Sequence, residues 1–155
     1  MTRLSVCVFA LALLAAPFAF AQAPAPASVP DSTYGEGGTK ESVENDKHEV
    51  IAETWRDERG IVREQFERDP DGTQYWGFYN GDGVDVSAWR QSMIAVHPMT
   101  RPQGRWRFLV IGPGEHTVKE LSTITRAELD IEFDYWHTQL RNWVRNAQRQ
   151  QRENR

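Results

Sequence analysis

The spacing of apolar positions changes along the chain, and the changes mark out the elements. Leu129, Phe133, Trp136, Leu140, Trp143 and Ala147 recur at steps of four and three, which places them on one stripe of an α-helix. Thr125 and Glu128 stand three apart just before that stripe, as a capping box requires, and Ile124 and Leu129 occupy the positions of a hydrophobic staple. Acids lead (Glu128, Asp130, Glu132, Asp134) and arginines follow (Arg141, Arg145, Arg149, Arg152), the order the helix dipole favours. The pattern predicts a helix over 125–149.

Upstream the period shortens to two. Trp106, Phe108 and Val110 alternate with Arg105, Arg107 and Leu109, Gly112-Pro113-Gly114 turns the chain, and His116 to Leu121 returns it as a hairpin. Residues 88–97 alternate as well, with Trp89, Gln91, Met93 and Ala95 against Arg90, Ser92, Ile94 and Val96. Residues 42–79 carry both signatures. Ile51, Trp55, Val62 and Phe66 fit one helical face, but Gly60 sits mid-run and Val50, Ile51, Thr54, Trp55, Ile61 and Val62 are β-prone. A weak repeat aligns Thr54–Ile61 with Gly77–Val84 at an offset of 23, each copy running aromatic, Asp or Asn, Gly, β-branched. Asp69-Pro70-Asp71-Gly72 marks a further turn between the copies. These features favour a meander of strands over one long helix.

The N-terminal flank reads differently. Arg3, the apolar run Leu4–Ala16, Pro17 and Ala19-Phe20-Ala21 together spell a secretory signal peptide over 1–21, with cleavage before Gln22. Residues 22–38, rich in Ala-Pro and ending in Gly, are expected to form a disordered linker, because Tyr34 is their one aromatic. A single domain over 39–150 and a frayed polar tail over 151–155 complete the expected organisation. The fold class is α+β: a small antiparallel sheet of meander and hairpins, packed by the long C-terminal amphipathic helix. The chain is expected to leave a bacterial cytoplasm by the general secretory route, for the periplasm or the extracellular medium, with no membrane span after cleavage.

Export alters what the composition means. The signal segment holds the only Cys of the 155 residues, so the remainder has no disulfide, no thiol nucleophile and no Cys-based metal site. It also holds one Arg and no acid, so its loss moves the net charge from −4 to −5. That balance excludes a strongly basic nucleic-acid binder. No G-x-S-x-G elbow, phosphate loop or dinucleotide fingerprint is present, and no cofactor is expected.

Candidate chemistry is sparse. The loops around Asn80–Asp85 and Asp69–Gly72 offer oxygen ligands, but neither completes an EF-hand, and both read as turns. Asp134 and His137 lie one helical turn apart, which suits a local hydrogen bond, and His48 and His97 are isolated; no metal site is expected. Arg141, Arg145, Arg149 and Arg152 read as a solvated helix end, with contact to an anionic lipid, envelope polysaccharide or acidic partner as the alternative. The six Trp residues are more than a core of this size ordinarily needs. Trp76-Gly77-Phe78-Tyr79 cannot all face one core, so two of them point outward or into a second layer.

The pattern therefore suggests a non-enzymatic binding or interaction domain for an envelope protein or glycan. Its expected contact surface is Trp76, Tyr79, Asp82 and Trp89, with Arg90 as an anion-facing neighbour. No catalytic residue stands out. Two alternatives remain open: a cell-wall or polysaccharide-acting enzyme using paired carboxylates, and an envelope-anchored structural protein.

Overall fold

The computed structural model describes residues 26–81, 90–113 and 118–154. Eight strands form one sheet in chain order, each antiparallel to the next. They are β1 (Ser28–Pro30), β2 (Thr39–Glu44), β3 (Val50–Arg56), β4 (Val62–Arg68), β5 (Gln74–Tyr79), β6 (Arg90–Pro98), β7 (Trp106–Ile111) and β8 (Val118–Ile124), followed by one helix, α1 (Arg126–Glu153). The α+β meander expected from the alternation is the fold, and residues 42–79 are strands and turns throughout.

The turns explain why the Glu/Arg-rich run does not become a helix. Asn45, Asp57 and Asp69, twelve residues apart, open three hairpins of one design. In each, the amide three residues on donates to the opening residue's carbonyl, and the opening amide donates to the carbonyl four residues on. The third loop residue after each opener (His48, Gly60 or Gly72) has positive φ, as in a turn followed by a bulge. Asn45 Oδ1 and Asp57 Oδ1 each accept two loop amides, which stabilises the turn against the helical alternative. The true structural period is thus twelve. The offset of 23 pairs two different hairpin ends, and its second copy extends outside the described residues.

Alternation then sorts the side chains. Trp55, Phe66, Phe78, Ile94, Val96, Phe108 and Val110 point to one face and form the core with Leu129, Leu140 and Val144 of α1. The helix lies against β5, β6 and β7. Its N-terminus is built as expected: Thr125 Oγ1 accepts from the Glu128 amide at 3.2 Å, and Glu128 Oε2 accepts from the Thr125 amide at 2.6 Å.

Three expectations change. The apolar stripe faces the core, but the buried face of α1 is shifted round the helix from it: Leu129 and Leu140 of the stripe are buried together with Val144 and Gln148, while Phe133, Trp136 and Trp143 pack at the edge. Polar residues with partners take part in that face, and a hydrophobicity count gives them no weight. The helix also runs on to Glu153, through three residues of the expected frayed tail. Gln151 Nε2 donates to the Asn80 carbonyl at 2.7 Å and Arg152 pairs with Glu58 at 2.6 Å, which anchors the last turn. Finally, the segment expected to be a disordered linker is folded from Ser28 onward. β1 pairs with β2, and Tyr34 is buried to 2% exposure. The lone aromatic that was too little to order the segment by itself is the group that docks it. Residues 1–21 lie outside the described residues.

Candidate functional site

The most unusual position in the core is Glu64. It lies on β4 between Val62 and Phe66, opposite Trp55 on β3 and Phe78 on β5, and it is fully buried. Four donors reach its carboxylate. Oε1 accepts from His137 Nε2 at 2.9 Å and Arg141 Nη2 at 3.0 Å; Oε2 accepts from Arg141 Nε at 2.7 Å and Tyr34 Oη at 2.6 Å. Arg141 also lies over the Trp55 ring, 5.6 Å from its centroid. His137 stacks on Phe133 at 5.0 Å and meets Phe78 edge-on at 5.6 Å.

Burial pushes the Glu64 carboxyl up, but the bonds from His137 and Arg141 outweigh it and hold the group below its ordinary range. Burial, reinforced by the Glu64 charge, pushes the Tyr34 phenol far up, so it stays a donor. The Arg141 guanidinium is disfavoured by burial and favoured more by Glu64, and its affinity for its proton rises. Each carboxylate oxygen already accepts two bonds, so Glu64 has no open position for a substrate's proton. The cluster holds the Glu64 and Arg141 charges in fixed positions.

A second buried pair lies next to it. Arg63 Nε and Nη2 both reach Asp57 Oδ2 at 2.9 Å, and Arg63 Nη1 donates to the Gly81 carbonyl at 2.6 Å. Gln148 Nε2 bridges Asp57 Oδ2 and the Tyr34 carbonyl at 3.4 and 3.3 Å. Glu64 and Asp57, the two buried carboxylates among the described residues, are therefore both committed to guanidinium partners. Together with Arg145 Nε on the Thr33 carbonyl, these bonds tie the C-terminal half of α1 to the β1–β2 loop, the β3–β4 turn and β4.

No family model, curated protein or solved structure matches the chain. Function must be read from its own geometry.

Of the residues expected to make one contact surface, Trp76 and Tyr79 are placed, and they lie on opposite faces of the sheet. Trp76 faces α1, packed between Phe66 at 4.8 Å and Phe133 at 4.5 Å between ring centroids. Tyr79 lies on the opposite face, buried, with its hydroxyl over Gly77 and donating to Gln65 Oε1 at 2.7 Å. Asp82 and Trp89 lie outside the described residues, and Arg90 is placed only as the first residue of β6, opposite Tyr79. The second layer expected over two of the four aromatic-segment residues is α1, covering Trp76 and Phe78. Asp134 is not the partner of His137; Glu64 is. Nor is Arg141 a solvated arginine.

The sheet face away from α1 offers a different surface. Register places Tyr75, Ala95, Leu109 and Glu120 in one row across β5–β8, and Gly77, Met93, Ile111 and Val118 in the next. His97 and Arg107 pair in a third row. These rows bound a hollow of about 380 Å³, with an apolar floor of Tyr75, Met93, Ala95 and Leu109 and polar groups from Thr73, His97, Arg107 and Glu120. Thr73 Oγ1 and His97 Nδ1 are 2.6 Å apart, which fixes the imidazole at the rim. The sequence held a sign of this face. Met93–Val96 and Phe108–Ile111 are unbroken apolar runs, the pattern of strands apolar on both sides.

Among the described residues, no group of three or more His, Cys, Asp or Glu side chains is placed to hold a metal ion, and no helix is long and apolar enough to cross a membrane.

Proposed function

We propose that the protein is an exported, non-enzymatic binding module that takes a small amphipathic ligand on the sheet face opposite α1. One observation carries this reading: β6 and β7 are apolar on both sides, and α1 covers only one of them. An antiparallel sheet with a free side ordinarily presents polar residues there. Here the floor is Tyr75, Met93, Ala95 and Leu109, and the polar groups converge at the edge, the usual composition of a small-molecule site. Arg107 and His97 suit an anionic or hydrogen-bonding head, and the floor suits a ring or short alkyl body.

Anilinonaphthalene sulfonate, an aromatic anion, is a direct probe. The native protein is expected to bind it saturably, with near-UV circular dichroism retained. Leu109→Asp should weaken binding at least ~tenfold, because it puts a charge into the apolar floor. No saturable binding, or binding unchanged by Leu109→Asp in a folded protein, would remove this reading. Export rests on the N-terminal pattern, and finding mature chains that begin at Gln22 outside the cytoplasm is its test.

A further inference from the structure

We infer that a second site, at the far end of α1, binds a phosphoryl group. The β1–β2 loop and the last turns of the helix border a hollow of about 320 Å³, lined by Ser32–Gly35 and, on the helix, by Gln148 and three arginines, Arg145, Arg149 and Arg152. The chain as a whole carries a net charge of −4, so three guanidiniums around one hollow run against its general balance.

Their partners leave most of that charge uncompensated. Arg145 Nε donates to the Thr33 carbonyl at 2.9 Å, and its guanidinium lies over the Tyr34 ring at 6.0 Å. Arg149 donates to the Asn146 side-chain oxygen. Both acceptors are neutral, and among the described residues neither arginine pairs with a carboxylate. Arg152 alone has one, Glu58 Oε1 at 2.6 Å. The hollow therefore holds about two positive charges. A helix C-terminus contributes only about half a negative charge against them, and that falls off within the last turn.

The charge selects the ligand. A phosphate monoester carries about −1.5 to −2 at neutral pH, which matches the hollow, whereas a carboxylate carries only one charge. Arginine forks suit such oxyanions, each offering two parallel N–H donors. Arg145 is partly ordered in advance: its Nε is spent on Thr33 and its guanidinium lies over Tyr34, which leaves its terminal nitrogens for an oxyanion. The loop that shapes the hollow is itself held by the Tyr34–Glu64 bond. This site is independent of the outer sheet face, and either could fail alone.

The test uses the full chain at constant ionic strength, titrated calorimetrically with inorganic phosphate and with acetate, and floated with phosphatidylcholine vesicles with or without phosphatidic acid. Arg149→Gln is the principal variant, since Arg149 is exposed and its hydrogen-bond partner is Asn146 on its own helix surface. Arg145→Lys is the second, keeping the charge and removing the fork. Saturable phosphate binding that weakens at least ~tenfold in both variants supports the site with a soluble phosphoryl ligand. Flotation that requires phosphatidic acid and is lost in both variants supports the same site with a lipid headgroup as the source. Acetate binding as tight as phosphate, binding that survives both substitutions, or no phosphoryl-dependent binding in either arm overturns the proposal.

Discussion

Glu64 shows how one side chain can tie the stability of this protein to pH. The carboxyl of the unfolded chain titrates near its ordinary value of 4.5, and in the folded protein it titrates lower, because the bonds from His137 and Arg141 exceed the effect of burial. A depressed folded value means stability that is present above about pH 4.5 and is lost as pH falls through the folded value. Glu64→Gln should therefore flatten the pH dependence of the urea midpoint in that acidic window. At neutral pH it should destabilise by about 3 kcal/mol, since the Arg141 charge loses its counterion and an amide N–H₂ faces other donors. A midpoint that falls with acid as steeply in the variant as in the parent would show that other carboxyls carry the effect. That an acid sits on the core face was legible in the sequence, because Val62, Glu64 and Phe66 share one side of a strand. Its partners were not. Tyr34, His137 and Arg141 are 30, 73 and 77 residues away, beyond the reach of any local pattern.

At the scale of elements, the hairpins and the helix cap follow local chemistry, and so they could be read in advance. The capping box at Thr125 and Glu128 and the turn at Asp69–Gly72 formed where the residues indicated. The twelve-residue turn design was harder to see because its first copy puts His48, not glycine, at the left-handed position, with φ 60°. Thr123, a β-branched residue, takes the same φ of 60° where β8 leads into α1. Left-handed backbone costs a non-glycine residue roughly 1–2 kcal/mol, partly offset by the extra freedom glycine has when unfolded. His48→Gly is expected to stabilise the protein by about 0.5–1 kcal/mol, and Thr123→Gly by more. Paired urea titrations would check this, and a lower midpoint for His48→Gly would mean that its side chain contributes more than its strain costs. The orientation of α1 was less legible. Apolar spacing located the helix, but its buried face includes Gln148 and is flanked by His137 and Arg141. Polar groups can lie there only because the sheet supplies their partners.

For the molecule as a whole, the boundary of the folding unit matters most. The sequence placed that boundary at residue 39, but β1 and Tyr34 complete the sheet edge and close over Glu64. A chain starting at residue 39 should lose roughly 3–5 kcal/mol of stability against one starting at 26, the range for removing a large buried aromatic. Equal urea midpoints for the two would show that the segment is docked without contributing. The sequence by itself determined the elements and their class: alternation, turn residues and the capped helical stripe act over a few residues, and each is encoded where it acts. Tertiary structure alone decided the rest. It split Trp76 from Tyr79 across the sheet, gathered Tyr34, His137 and Arg141 around the Glu64 carboxylate, and left one apolar sheet face and one arginine-lined hollow open. Burial and ion pairing act between residues remote in the chain, so which faces are covered and which charges are matched exists only once the sheet and helix have met.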